Sequence, residues 1–399
     1  MISVGIDVSK GKSTVCILKP YGEVLLSPRE LLHTEAGIAK LLNLIASFGE
    51  EARIIMEATA AYHMPLLCRF LEHSLFVCVV NPFLMKKYAS VSMRKGKTDN
   101  LDATKIAGYG IDNWFRLKAF QPQEEVYQEL KVLVRQYDFY IRLRVAAVNN
   151  LTTILDKTVP GLKTILPHTN PDKTKSKLCD FVVEFWHVDI ITAMSENRFV
   201  NACARWAKKK GYRLDERRAK SIYALAQNSI PSLPSHAPSV KMFVLESIRV
   251  LQELDKTLVP ILTQMRALAS SLPEYDTVLA MNGVGQTIAP RLIAEIGDVR
   301  RFHSGSALVA FAGIDAPPFQ SGAFTSNDRR ISKRGSAHLR KTGFEIMKML
   351  KARKPETDNA VYQFILKKEA EGKPRNIAKM AGFNKFLRIY YARVMEVYR

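Results

Sequence analysis
The chain is short of acid, of cysteine and of long apolar runs, and each shortage excludes something. Asp and Glu number 38 against 59 Lys and Arg, a formal charge of +21 with a pI near 9.7. That imbalance points to a polyanionic partner, nucleic acid first. The five cysteines, Cys16, Cys68, Cys78, Cys179 and Cys203, are an odd number with no CxxC pair and no histidine at zinc spacing. They exclude a disulfide or zinc scaffold and read as small core residues in a reducing cytoplasm. No apolar run approaches the roughly 18 residues of a membrane span, the first residues form a strand with no basic leader, and no basic helix carries an aromatic-rich apolar face. A soluble protein without membrane contact is expected. What is present, 399 residues at 47% hydrophobic content, suffices for two or three domains with real cores. The charge divides unevenly: residues 1–115 hold 13 basic and 11 acidic side chains, which leaves +19 to the rest.

Ile2 to Val8 alternates at period two and contains Asp7; a second strand follows at Thr14 to Leu18 and a third around Glu23 to Leu26. Thr34 can cap a helix bearing Ile38, Leu41, Leu42 and Ile45, and Ala52 to Met56 forms a buried strand that delivers Glu57 at its end. A helix from Tyr62 to Leu71, a strand from Leu75 to Val80 and a helical piece after Asn81-Pro82 complete the alternation. The stretch Lys97-Thr98-Asp99-Asn100-Leu101-Asp102-Ala103 then starts a helix with Thr98 as N-cap. Asp99 and Asp102, three residues apart, lie on one face and can reach one metal, and Ile106 and Tyr109 continue that face. The same pair also suits a solvated first turn, where acids complement the helix dipole. Asp7 alone could be a turn-proximal acid and Glu57 a strand-end acid.

Together, three strands, then helix, strand, helix, strand, helix, with acids on strand one, at the end of strand four and on a late helix, resemble the RNase H-like nuclease fold in its RuvC branch. Two divalent metals about 4 Å apart need several carboxylates converging from separate elements. Asp7, Glu57, Asp99 and Asp102 fit that need. The expected fold is thus an α/β RNase H-like, RuvC-like N-terminal domain over residues 1–120.

Residues 121–270 read as coiled-coil helices. One runs from Glu124 to about Asp156, the other near Val240 to Leu268, each with apolar positions at mixed three and four spacing. They pair within the chain, between subunits, or as an ordinary helical core. Pro260 should kink or break the second. Between them, about 162–239, lies a basic insertion: Lys173, Lys175, Lys177, then Phe181, Phe185 and Trp186, then Lys208 to Lys210. Basic residues interleaved with aromatics suit nucleic-acid contact, although a charge run also makes a solvated face. Pro231, Pro234 and Pro238 among serines mark a linker.

Residues 271–399 form a mainly helical C-terminal domain. Leu279 to Gly285 contains Gly283 and Gly285 between helical stretches and resembles the hairpin of a helix-hairpin-helix, whose glycines let backbone N–H groups approach a phosphate; a tight turn between helices is the other reading. Arg300-Arg301 follows, both expected to contact nucleic acid, then the loop from Pro317 to Gly322 holding Ser321. Residues 329–354 contain ten Lys or Arg against one acid, Glu345. Arg329, Arg330, Lys333, Arg334, Arg340 and Lys341 are the expected phosphate contacts, with binding steeply dependent on salt.

The acidic quartet, the GVG hairpin, "AEIGDVRRF", "FAGIDAPPFQSG" and "ISKRGSAHLRK" together resemble the DEDD-type transposases of the one-ten family of insertion sequences, kin of the Piv DNA invertase. The resemblance covers about 1–160 and 240–399. It implies a DNA transposase acting on donor and target duplexes, Mg²⁺ held by Asp7, Glu57, Asp99 and Asp102, and Ser321 as nucleophile of a covalent phosphoserine intermediate. It further implies a non-coding bridge RNA, a dimer or tetramer, and a place on the nucleoid of a bacterial cytoplasm. The rival enzyme is a RuvC-type structure-selective endonuclease using the acids on water; the rival without chemistry is a basic RNA- or DNA-binding protein.

Overall fold
The computed structural model describes residues 1–58, 62–90, 98–122, 124–167, 176–317 and 330–399, with the backbone of 320–321 and 324–325. Two compact units divide the chain, Met1–Pro122 and Gln123–Arg399.

In the first unit, alternation of small or β-branched residues produces five strands: β1 (Ile2–Val8), β2 (Lys12–Leu18), β3 (Val24–Leu32), β4 (Ala52–Glu57) and β5 (Phe76–Val80). They form one mixed sheet in the order β3-β2-β1-β4-β5, antiparallel through β1 and parallel from β1 to β5. The arrangement is compatible with an RNase H-like α/β domain. Third-strand pairing reaches Leu32, six residues beyond the expected end. Helices α1 (Glu35–Ser47) and α2 (Met64–Glu72) bury Ile38, Leu41, Ile45, Leu66, Leu67 and Phe70 with Ile2, Val4 and Ile6. Thr34 caps α1 by accepting from the Gly37 amide at 3.1 Å. Helix α3 (Pro82–Ala89) precedes α4 (Asp99–Asp112).

The second unit is helical apart from one short hairpin among its described residues. Helices α5 (Glu125–Thr158) and α11 (Pro238–Ser270) pack together; α6 (Leu162–Ile165), α7 (Lys177–Glu184), α8 (Val188–Thr192), α9 (Glu196–Lys210) and α10 (Glu216–Gln227) intervene. The two long helices pair antiparallel within the chain, as the contacts Asn150 to Ser247 (3.1 Å) and Arg144 to Asp255 (2.5 Å) require. Neither a break nor a gap appears at Pro260, and α11 runs through it. Pro260 and Lys256, whose carbonyl loses its donor, are both exposed, so water can replace the lost partner. Pro238 is the first residue of α11, where a missing N–H costs nothing.

Two cores form along this helical pair. Tyr127, Leu130, Val134 and Tyr137 of α5 with Leu258, Leu262 and Met265 of α11 join the C-terminal helices. Leu151 and Leu155 with Val240, Val244, Ile248 and Leu251 join α7 to α10. The expectation of aromatics presented to nucleic acid by the insertion is corrected here. Phe181, Phe185 and Trp186 are buried at 0%, 6% and 6% exposure, because only burial recovers the area these rings offer. Cysteine needs a smaller correction: all five are free and four are buried, but Cys68 is exposed.

The C-terminal elements are α12 (Tyr275–Leu279), α13 (Ile288–Ile296), α14 (Gly305–Ala312), β6 (Gln320–Ser321), β7 (Phe324–Thr325), α15 (Ala337–Arg353), α16 (Ala360–Ala370) and α17 (Arg375–Val397). No helix among the described residues is long and apolar enough to cross a membrane.

Candidate catalytic site
Strand register brings the first two acids side by side. The parallel pairing of β1 and β4 ends with Ile6 beside Met56, so the next residues, Asp7 and Glu57, stand at the same end of neighbouring strands. Alternation sends Ile2, Val4 and Ile6 to the core under α1 and α2, and Ser3, Gly5 and Asp7 to the face that α4 covers. Contact there is close: Ser3 Oγ donates to the Ala107 carbonyl at 2.7 Å, and a Cβ on Gly5 would fall 2.2 Å from the Ala107 nitrogen and 2.5 Å from the Ala103 oxygen. Only glycine admits the helix at this distance.

From Gly110 and Ala107 over Ser3 to Ala103 over Gly5, α4 runs opposite to β1. Its first turn, carrying Asp99 and Asp102, therefore lies toward the Asp7 end of the strand. Thr98 fixes that turn by accepting from the Leu101 amide at 3.3 Å. On β2, Thr104 of α4 lies 3.7 Å from Cys16 Sγ, and Asp99 acts on Lys12. Lys12 is raised above its ordinary pKa chiefly by its hydrogen bond to Glu30, with Asp99 adding to the effect. Asp7, Glu57 and Asp102 are half-buried and Asp99 is exposed. Lys105 Nζ sits 3.2 Å from Asp102 Oδ1.

The donor chemistry suits a hard divalent cation, which prefers carboxylate oxygen. Among the described residues, however, no three His, Cys, Asp or Glu side chains already stand close enough to hold one ion. Binding would therefore require these carboxylates to rotate, and Lys105 to release Asp102.

The C-terminal candidates divide by what holds them. Ser321 lies on β6, its Cα paired with Phe324 of β7. This short hairpin replaces the loop expected there; Pro318, Phe319 and Gly322 fall outside the described residues, as does Arg329. Gly283 takes a left-handed φ of +87°, and a Cβ there would fall 2.8 Å from the Ile346 oxygen on α15. Its open side therefore faces protein. Gly285 has nothing within 4 Å of such a Cβ and stays accessible. Arg301 donates to the Ile296 carbonyl at 2.9 and 3.2 Å and lies over Phe302 and Phe311, and burial lowers its pKa. Arg340 donates to the Ala312 and Gly335 carbonyls at 3.0 and 2.9 Å. These two guanidiniums hold the fold together, a use that basic sequence alone could not separate from phosphate contact. Arg300 is half exposed and pairs with Glu124 and Asp298. Arg330, Lys333 and Arg334 are exposed, Lys333 with a φ of +54°. Lys341 stands 3.5 Å from Asp138.

Sequence reasoning missed a buried ionic network nearby. Arg291, 6% exposed, bridges Asp138 at 3.2 Å and Glu345 at 2.5 Å, and His338 Nδ1 lies 3.7 Å from Asp138. Arg135 and Ser336 both engage Glu295. No local signal announces partners 153 residues apart in the chain.

Comparison with known proteins settles the family. A family model of DEDD-type IS110 transposases matches residues 4–160, and a second, of the IS116/IS110/IS902 transposase family, matches 275–363. Together they cover well over half of the chain. The chain belongs to the IS110 family of DEDD transposases. It is similar over 346 residues, at 21% identity, to the uncharacterized 43.6 kDa protein of insertion element IS110 from Streptomyces coelicolor, covering 86% of this chain and 82% of that one. It is also similar, at 22% identity over 316 residues, to the mini-circle protein of the same organism named as transposase for IS117, covering 77% and 75%. Membership implies an insertion-sequence transposase, an enzyme that cleaves and rejoins DNA.

Proposed function
We propose that this transposase works as a serine recombinase assisted by Mg²⁺. The observation that carries the reading is the approach of four carboxylates, from β1, β4 and the first turn of α4, to one end of the sheet. Asp7, Glu57, Asp99 and Asp102 would hold the cation, which when bound supplies positive charge to the oxygens of the reacting phosphate. The Ser321 hydroxyl gives up its proton as its oxygen bonds to the scissile phosphorus. A deoxyribose oxygen leaves with a proton, so one DNA end carries a phosphoserine ester and the other a hydroxyl. Attack by a hydroxyl from another strand frees the serine, and the phosphodiester count is conserved without ATP. Gly285, Arg300, Arg330, Lys333, Arg334 and Lys341 are the proposed phosphate contacts; Gly283, Arg301 and Arg340 act in the fold. Helices α12 and α13 with their intervening turn act as the helix-hairpin-helix. A non-coding bridge RNA as guide and a homo-oligomer, dimer or tetramer, complete the reading, and a bacterial nucleoid is where it acts. The three expected regions, catalytic 1–120, helical 121–270 and C-terminal 271–399, divide the labour accordingly.

The test is a denaturing assay for protein bound covalently to DNA. Wild type should give an adduct in Mg²⁺; Ser321→Ala and Asp102→Asn should give none while binding DNA normally. Cleavage by Ser321→Ala at the wild-type rate without adduct would instead establish water as the nucleophile and the endonuclease reading.

A further inference from the structure
The segment between the two family matches, residues 161–274, is covered by neither family model. Within it, α7 to α10 pack Phe181, Phe199 and Trp206 into a core that α5 and α11 complete. The exposed surface is cationic. Arg198, Arg205 and Lys209 follow one another at spacings of seven and four on the outer side of α9, with Lys208 and Lys210 beside them. Arg213 and Arg217 continue the patch past the turn and are also exposed.

Three features separate this surface from an ordinary solvated face. First, the acids that follow the turn at the start of α10 are already matched: Asp215 faces Arg218 at 3.9 Å and Glu216 faces Lys220 at 2.7 Å. Among the described residues, Arg205, Lys208, Lys209, Lys210, Arg213 and Arg217 carry no ion pair. Second, the backbone that presents them is fixed. Gly211 ends α9 at φ of +73°, Tyr212 stacks on Trp206 and donates to Asp180 at 2.6 Å, and Lys177 donates to the Arg213 carbonyl. Such a surface loses little freedom on binding. Third, one face of α10, bordered by Glu216, Arg217 and Lys220, lies wide open, so these side chains are unobstructed.

We propose that this helical insert grips the backbone of duplex DNA without reading its bases. The choice of duplex over single strand follows from the aromatics: single-strand grooves need exposed rings on which bases stack, and Phe181, Phe185, Trp186, Phe199 and Trp206 are all buried. Flexible lysines and arginines on helices are suited to phosphate, which carries position but no sequence. DNA rather than RNA is chosen because DNA is what a transposase acts on; to that extent the proposal rests on the family, and it involves neither the acids nor Ser321.

The experiment uses the full chain and random-sequence duplex DNA several helical turns long, with binding followed by fluorescence anisotropy across a salt series. Replacing Arg205, Lys208, Lys209, Arg213 and Arg217 together with alanine should flatten the slope of log affinity against log salt by about 4.5 when all five meet phosphate, since each phosphate contact contributes about 0.9. A companion variant that exchanges Arg for Lys and Lys for Arg at the same five positions should keep the wild-type slope, which separates lost charge from lost fold. An unchanged slope in the alanine variant overturns the proposal. So does a loss seen only with duplex RNA or only with single strands. Asp102→Asn, measured alongside, should bind as wild type, so a failure of the proposed chemistry is read separately from a failure of this surface.

Discussion

Carboxylates serve this chain in two opposite ways. In the second unit, Asp138, Glu274 and Glu295 are 5%, 1% and 3% exposed, and each is answered: Asp138 by Arg291, Glu295 by Arg135 and Ser336, Glu274 by the hydroxyls of Tyr127 and Tyr398 at 2.8 and 2.6 Å. In the first unit, Asp7, Glu57, Asp99 and Asp102 lie toward one end of the inner strands β1 and β4, where water still reaches them, and the cations near Asp99 and Asp102 are lysines on long stems. A charge taken out of water must be paired where it lies. An acid left at the surface can exchange its partner, so the two groups differ in what they can still bind.

That contrast predicts what each substitution breaks. On the proposed mechanism, Asp7→Asn or Asp102→Asn should lower strand cleavage by about a hundredfold to a thousandfold or more, because each would remove a ligand of a cation worth several kcal/mol to phosphoryl transfer, while the melting temperature stays near wild type. Full recombination by Asp102→Asn would end the catalytic assignment. Arg291→Met should do the reverse. It leaves buried Asp138 only the longer contacts to Lys341 and His338, and should cost about 3 kcal/mol in denaturant unfolding, the lower end for a broken buried pair.

Tyr398→Phe should cost about 1.5–3 kcal/mol, the worth of a hydrogen bond to a charged group. Burial pushes the Tyr398 phenol up to about 12 from its ordinary 10. A raised folded pKa means the hydroxyl's contribution is complete below pH 10 and is lost as pH climbs from 10 to 12. Wild type should therefore lose its stability advantage over Tyr398→Phe across that interval, and a constant difference would remove the role given to the phenol. The smallest effect is expected at Thr98→Ala, about 1 kcal/mol from a lost N-cap. Since the cap holds the turn with Asp99 and Asp102, activity should fall further than the stability change implies.

Periodicity and capping made much of the first unit legible. The strand pattern around Asp7, the caps Thr34 and Thr98, and the shared face of Asp99, Asp102 and Ile106 are local properties, and local properties survive in sequence. The long helices α5 and α11 were legible for the same reason. Which helix partners which was not, because the seam suits a partner in the same chain or another. Arg301 and Arg340 look in sequence like any members of a basic run, and only the carbonyls they meet distinguish them. The insertion misled through Phe181, Phe185 and Trp186: basic and aromatic residues interleave along the chain but separate to opposite sides once helices form. Arg291 and Asp138 gave no signal at all.

The antiparallel pair of α5 and α11 joins the two cores of the second unit with helix alone. Tyr137, the last α5 residue of one core, and Leu151, the first of the other, are separated by about 21 Å at 1.5 Å per residue. The polar contacts Arg144 to Asp255 and Asn150 to Ser247 lock the sliding register between them. A strut of set length and set phase is a ruler. Adding a heptad to both helices would carry the cationic insert about 10 Å outward while keeping nearly the same azimuth, whereas adding four residues to each would turn it by about 40° from its original direction. Transposition by the first variant should then favour DNA protected over a longer span, about three base pairs at 3.4 Å each.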